Sequence, residues 1–212
     1  MRVIVNYIEN IALELLRNKV VQVKKISTGE EPFLSSGIWS PGRISIENLG
    51  GKTIEVLTWK LAKKIAEETS VDFVVGGKTG DIALSKALER HLGKKIPFIS
   101  IGERGKLIGM DEIEGNWNGV VIGGLALADY GTLSLLGIKL KVSSVATILF
   151  CGDPILQHGK LKVIYLLTLS KLLEVAVKYH HFQTEDVGEF ERFLRDPIGW
   201  QKNFNPEILI KK

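Results

Sequence analysis

The sequence predicts an α/β protein built on a mostly parallel sheet flanked by helices. Three observations predict it. Short apolar runs, VDFVV at 71–75 and VSSVATILF at 142–150, alternate with segments of helical period. Strands apolar on both faces belong to parallel sheets covered on both sides. Glycines follow the strand-like runs, as at Gly76-Gly77, and 212 residues with 45% hydrophobic content can bury a core without staples.

Ile4, Ile8, Ile11 and Leu15 recur at helical spacing and open the chain with an amphipathic helix. Glu9 and Glu14 inside that pattern argue against a secretory leader. Val20–Ile26 reads as a strand, and the Gly/Ser/Pro-rich stretch 35–51 (SSGIWSPGRISIENLGG) holds strand-like Arg43–Ile46. Thr53–Glu68 is a helix with Ile54, Leu57, Leu61 and Ile65 on one face. Strand Val71–Val75 stops at Gly76-Gly77, and helix Asp81–His91 comes next, with Asp81 as its N-cap. Beyond it lie a strand at Ile96–Ile101, a charged loop at Gly102–Gly119, and strands at Val120–Leu127 and Val142–Phe150. Leu161–Tyr179 and Glu185–Leu194 read as helices. Lys162, Lys171 and Glu174 exclude the first of these as a membrane span. Its nearly all-round apolar surface predicts a homodimer.

Composition narrows the function. The single cysteine, Cys151, excludes an internal disulfide and a thiolate metal cluster and predicts a reducing, cytoplasmic setting. It directly follows an apolar strand and reads as a core residue. Net charge is +4, compatible with phosphate-bearing ligands but too weak and scattered to argue for nucleic acid. His91, His158, His180 and His181 have no partners at metal-ligand spacing, so no metal site is read.

In an open α/β sheet, ligands sit in the crevice at the carboxyl ends of the strands. Those ends are expected at 76–80, 102–106 and 128–132. Lys78, Thr79 and Gly80 lie where a strand turns into a helix, and free N–H groups at a helix start suit a phosphate. The turn is not a Walker loop, since Asp72 stands where that loop needs glycine; Gly50-Gly51-Lys52-Thr53 fails the same test at Ile46. The same glycines also serve a plain strand–helix turn. Tyr130, Gly131 and Thr132 form a second candidate anion nest. Asp129 beside it repels phosphate unless a cation intervenes, and a simple helix cap is the alternative.

Phe33-Leu34-Ser35-Ser36-Gly37-Ile38-Trp39-Ser40-Pro41 resembles the amino-terminal motif of orotate phosphoribosyltransferases, roughly T-L-K-S-G-x-x-S-P. The order of elements over residues 30–155 is similar to that family too. There is a turn that in the family holds pyrophosphate (76–80), a flexible charged loop (102–115), and a Gly-led apolar strand (119–127) running into Gly131-Thr132. The resemblance implies a type I phosphoribosyltransferase-like fold with a small hood from the chain ends. It implies one domain over 1–212: an N-terminal helix and hood segment (1–50), a core (51–155) and C-terminal helices (156–212). Ser36 and Asp129 would lie near the ligand, and Arg104 and Lys106 would supply the loop's positive charge.

The departures fall on the chemistry. Ser35 replaces the motif's lysine, and Gly102-Glu103-Arg104-Gly105-Lys106 replaces a loop that carries more cations and a histidine. The family's adjacent ribose-binding acids fall on Leu125-Ala126 or on Gly123-Gly124, depending on register. Charge-assisted hydrogen bonds contribute about 1.5–3 kcal/mol each, so losing two removes roughly 3–6 kcal/mol. That is about two to four orders of magnitude in rate if all of it acts in the transition state.

Three functions remain. The chain is a catalytically impaired relative that keeps phosphate or nucleotide binding in a regulatory or binding role. Or it is an active enzyme of pyrimidine biosynthesis, joining orotate to phosphoribosyl pyrophosphate with magnesium. Or it is a structural partner subunit of an intact phosphoribosyltransferase.

Overall fold

The computed structural model describes residues 6–35, 37–45, 48–76, 79–102, 106–113, 117–122, 141–151 and 161–204. In chain order the elements are α1 (Tyr7–Arg17), β1 (Val21–Val23), β2 (Phe33–Ser35), β3 (Ile38–Ser40) and β4 (Gly42–Ile44). Then come α2 (Gly51–Glu68), β5 (Phe73–Gly76), α3 (Thr79–Leu92), β6 (Phe98–Ile101), β7 (Leu107–Ile108) and β8 (Gly119–Ile122). The chain continues with β9 (Val142–Phe150), β10 (Lys162–Thr168), α4 (Leu169–Lys178), α5 (Thr184–Arg195) and α6 (Pro197–Phe204). They form two compact units: Gly50–Ser170, and the two chain ends, Met1–Leu49 with Lys171–Lys212.

The first unit holds a six-stranded sheet in the order β10-β9-β8-β5-β6-β7. All neighbours run parallel except β7, which turns back against β6. This is the mostly parallel α/β sheet the sequence predicts. Cross-strand register explains its core: Ile99, Val75, Val121, Val145 and Val163 stand side by side on successive strands. β-branched side chains pack well in such rows. Phe73, Val75, Ile99, Val121, Val145 and Phe150 form the buried cluster on this face, edged by Met110, Ile113 and Trp117. Gly119 is needed where it stands, because a Cβ there would lie 2.3 Å from the Phe73 ring.

Helix α2 buries Leu57, Leu61, Ala62 and Ile65, a stripe of helical period, and packs on α3, β9 and β10. Lys64 Nζ donates to the Tyr165 carbonyl at 2.7 Å. Helix α3 stops at Gly93, whose φ of +65° and N–H bond to the Glu89 carbonyl make a left-handed cap.

In the second unit β1 pairs antiparallel with β4, and β2 with β3. Polar pairs far apart in sequence tie the chain ends together. Asp186 accepts from the Ser27 N–H at 3.2 Å and hydroxyl at 2.8 Å. Lys178 Nζ and the Tyr179 hydroxyl donate to buried Glu9 at 2.5 and 3.2 Å.

Three expectations need correction. Leu161–Tyr179 is not one helix: Lys162–Thr168 is strand β10, parallel to β9, and only Leu169–Lys178 is helical. Its β-branched start extends the sheet, and Leu166, Leu167, Leu172, Leu173, Val175 and Ala176 are buried within the chain rather than offered to a partner. The charged stretch after Gly102 contains β7 and a 3₁₀ turn at Met110–Glu112, because Leu107, Met110 and Ile113 pack on the sheet cluster. Helix α3 begins at Thr79, so Asp81 lies within its first turn and is not its cap.

Candidate functional site

Strand order locates the crevice. From β5 the chain crosses through α3 to β6 on one side, whereas β8, β9 and β10 extend the sheet on the other. Strand connections reverse direction between β5 and β8, and open α/β sheets bind ligands at such a point, beyond the carboxyl ends of the strands. Here that place is bounded by Gly76 at the end of β5, the first turn of α3, and the tip of the β6–β7 hairpin.

At the end of β5 the strand and the helix after it approach closely. A Cβ on Gly76 would lie 2.5 Å from the Asp81 Cβ and 2.7 Å from its Oδ2. Glycine at 76 therefore lets the first turn of α3 pack on the strand end. Asp81 is only 4% exposed, a carboxylate placed at the helix end that favours negative charge. Strand β6 runs beside the end of β5: Gly76 is opposite Ser100 in register, and Gly102 lies two residues further along the chain. The Gly102 N–H donates to the Lys106 carbonyl at 2.8 Å and closes the tip, with Lys106 exposed on it.

Of the residues expected to form the site, Thr79 and Gly80 fall in the first turn of α3 and Lys106 on the hairpin tip, all at the carboxyl edge of the sheet. Lys78, Arg104, Ser36, Asp129, Tyr130, Gly131 and Thr132 lie outside the described residues, as do the positions 123–126 aligned with the family's acids. Sequence reasoning read Asp81 only as a cap and missed its burial against the end of β5. The signal for it was a charged residue five positions after a glycine that ends a buried strand.

At the end of β9, Cys151 is half-buried, and burial pushes its thiol up to about 11. It stays protonated at neutral pH and is a poor nucleophile. Among the described residues no group of three His, Cys, Asp or Glu is placed to hold a metal ion. No helix is long and apolar enough to cross a membrane among the described residues. A separate groove of about 530 Å³ runs between α2 and α3, with Trp59, Lys86 and Arg90 in its lining.

No family model matches the chain. It is 29% identical over 213 residues to the orotate phosphoribosyltransferase of Listeria innocua serovar 6a, covering 92% of this chain and 98% of that protein. Solved structures extend the likeness to the fold. UMP synthase of Leishmania donovani superposes with a TM-score of 0.68 at 16% identity over 89% of this chain, which spans 42% of that longer protein. The orotate phosphoribosyltransferase of Mycobacterium tuberculosis H37Rv, solved with 5-phospho-α-D-ribosyl 1-diphosphate, gives 0.54 at 18% identity over 78% of this chain and 98% of that one. The chain is thus similar to orotate phosphoribosyltransferases in sequence and has a phosphoribosyltransferase-type α/β fold.

Proposed function

We propose that the chain holds a nucleotide-type ligand by its phosphate in the strand-end crevice and catalyses phosphoribosyl transfer poorly or not at all. The observation that carries this reading is the crevice itself. In a sheet similar to that of orotate phosphoribosyltransferases, its α3 wall bears a buried carboxylate, Asp81, and Lys106 is the cation described at the hairpin tip. Transfer from phosphoribosyl pyrophosphate needs positioned positive charge against the leaving pyrophosphate. The sequence around 102–106 offers Arg104 and Lys106 against Glu103. Binding a single phosphate asks less of the site than stabilising a departing diphosphate.

A second reading, a working orotate phosphoribosyltransferase, draws on the Listeria innocua relative, with which the chain aligns over nearly its whole length. On that reading orotate and phosphoribosyl pyrophosphate give orotidine monophosphate and pyrophosphate with magnesium. Either role fits a cytoplasmic protein of pyrimidine metabolism. A homodimer remains part of the proposal, although Leu161–Tyr179 no longer supports it. Val56, Trp59 and Ile82 are the exposed large apolar residues of α2 and α3, and light scattering of dilute protein tests whether the chain pairs.

The binding claim is tested by titrating uridine 5′-monophosphate into the full chain in a calorimeter and following its melting temperature. Saturable uptake with a raised melting point is expected. Absence of both removes the nucleotide site.

A further inference from the structure

Helices α2 and α3 pack side by side, and the groove of about 530 Å³ between them has a cause in the sequence. Ala83 and Ala87, one turn apart on α3, put only methyl groups into its lining. Ile54, Val56 and Trp59 of α2 make the rest of the apolar lining, and Val56 and Trp59 are 51% and 45% exposed. The Trp59 ring meets the His91 ring edge-on at 5.5 Å, a contact that holds it in place. A cleft of this size, largely apolar with a few charged groups, suits a small organic ligand. Charge supplies the second half of the argument. Lys86 and Arg90 also stand one turn apart on α3, both exposed, and neither side chain has a partner among the described residues. Like charges at that spacing repel. Lys60 adds a third cation to the lining, against the carboxylate of Glu55. An anion seated between Lys86 and Arg90 relieves their repulsion, and a guanidinium offers a carboxylate paired N–H donors.

We propose that the α2–α3 groove binds an apolar, ring-bearing organic acid, with the ring against Trp59 and the carboxylate between Lys86 and Arg90. A protein partner fits less well. A stable interface takes about 800 Å² from each side, whereas Val56, Trp59 and Ile82 are the exposed large apolar residues of the two helices. A single ring system is accommodated within the groove itself. The site uses none of the residues that bound the strand-end crevice, so it stands whether or not the crevice holds a nucleotide.

The test is equilibrium dialysis of the full chain against 2-naphthoate, with 2-naphthamide as its uncharged counterpart. Saturable uptake of 2-naphthoate is expected, with 2-naphthamide bound about tenfold more weakly, as loss of a charge-assisted contact implies. High salt should weaken 2-naphthoate alone, because the cations are exposed. Arg90→Gln and Trp59→Ala should each weaken 2-naphthoate about tenfold. Ala83→Phe, which fills the groove without touching a charge, should abolish uptake. Lys63→Gln, on α2 but outside the lining, should bind as the natural chain does. No uptake, equal binding of the two probes, or uptake unaltered in Arg90→Gln and Ala83→Phe overturns the proposal. If a variant fails to fold, the comparison of the two probes on the natural chain still decides it. Light scattering completes the test. A dimer that falls to monomer in Trp59→Glu would mean that a second copy covers the groove, which also overturns the proposal; a mass unchanged by Trp59→Glu leaves the groove open to its ligand.

Discussion

The sheet unit and the chain-end unit both bury apolar side chains, but they differ in how their buried charged groups are placed. In residues 50–170 the core is a ladder of apolar side chains in register, Ile99-Val75-Val121-Val145-Val163, with Phe73 and Phe150 filling the same face. In the chain-end unit, buried charges are satisfied by partners more than a hundred residues away: Asp186 by Ser27, and Glu9 by Lys178 and Tyr179. An apolar ladder arises from local pattern, and the attraction between its rungs is non-directional. A buried polar clasp is directional, and losing either half leaves the other desolvated. A rigid ladder suits the strands that position a crevice. Clasps suit the task of joining two ends of a chain.

The largest expected break is in the ladder. Phe73 is 1% exposed, and Phe73→Ala should cost about 3–5 kcal/mol in urea unfolding. Gly119→Ala tests the same contact from the other side. Overpacking against the Phe73 ring should cost about 1–3 kcal/mol, and adding Phe73→Leu should recover part of it. Independent effects in that double-variant cycle would show that the two residues do not share a space.

Asp186→Ala sharpens the contrast from the clasp side. Two Ser27 donors lose their acceptor, at about 1–3 kcal/mol. Hydrogen exchange should then rise in 184–195 and 26–28 while β5 and β8 stay protected. Uniform loss of protection would mean that the two units do not respond separately.

The Glu9 clasp adds a pH signature. The Lys178 ammonium hydrogen-bonded to Glu9 holds its carboxyl below the ordinary range, despite opposing desolvation. Glu9 in turn raises Lys178. A lowered acid contributes stability above its unfolded value, roughly pH 4.3, and loses it as pH falls through the folded one. The raised lysine contributes fully below about pH 10.4 and loses its share as pH rises beyond. Glu9→Gln should flatten the acid limb of a melting-temperature profile. An unchanged acid limb would remove the ion pair from the account.

The smallest expected effect is at Cys151. With the thiol at about 11, iodoacetamide at pH 8 should label the native chain far more slowly than the urea-unfolded one.

The same contrast explains what the sequence made legible. VDFVV and VSSVATILF announced β5 and β9, because strands buried on both faces leave continuous apolar runs. KVIYLLT, the β10 segment, passed for helix because it runs without a break into LSKLLEVAVK. Short apolar runs have no period that separates strand from helix, and β10 is settled by its pairing with β9. The hairpin of Phe33–Ser35 with Ile38–Ser40 straddles the start of the Gly/Ser/Pro-rich stretch at 35–51 and was not read as strand. At the crevice, the strand end and helix start were readable from Gly76 onward. Asp81 was visible as a letter but not as a buried charge, since its burial comes from the close approach of α3 to Gly76. The clasps Ser27–Asp186 and Glu9–Lys178 leave no local trace at all.

The central claim, a phosphoribosyltransferase-type fold that binds rather than transforms, is tested most directly by turnover. Purified chain at micromolar concentration is mixed with orotate, phosphoribosyl pyrophosphate and magnesium, and orotidine monophosphate is followed by chromatography. The account predicts product no faster than in buffer alone. Steady multiple turnover that scales with protein concentration would contradict it.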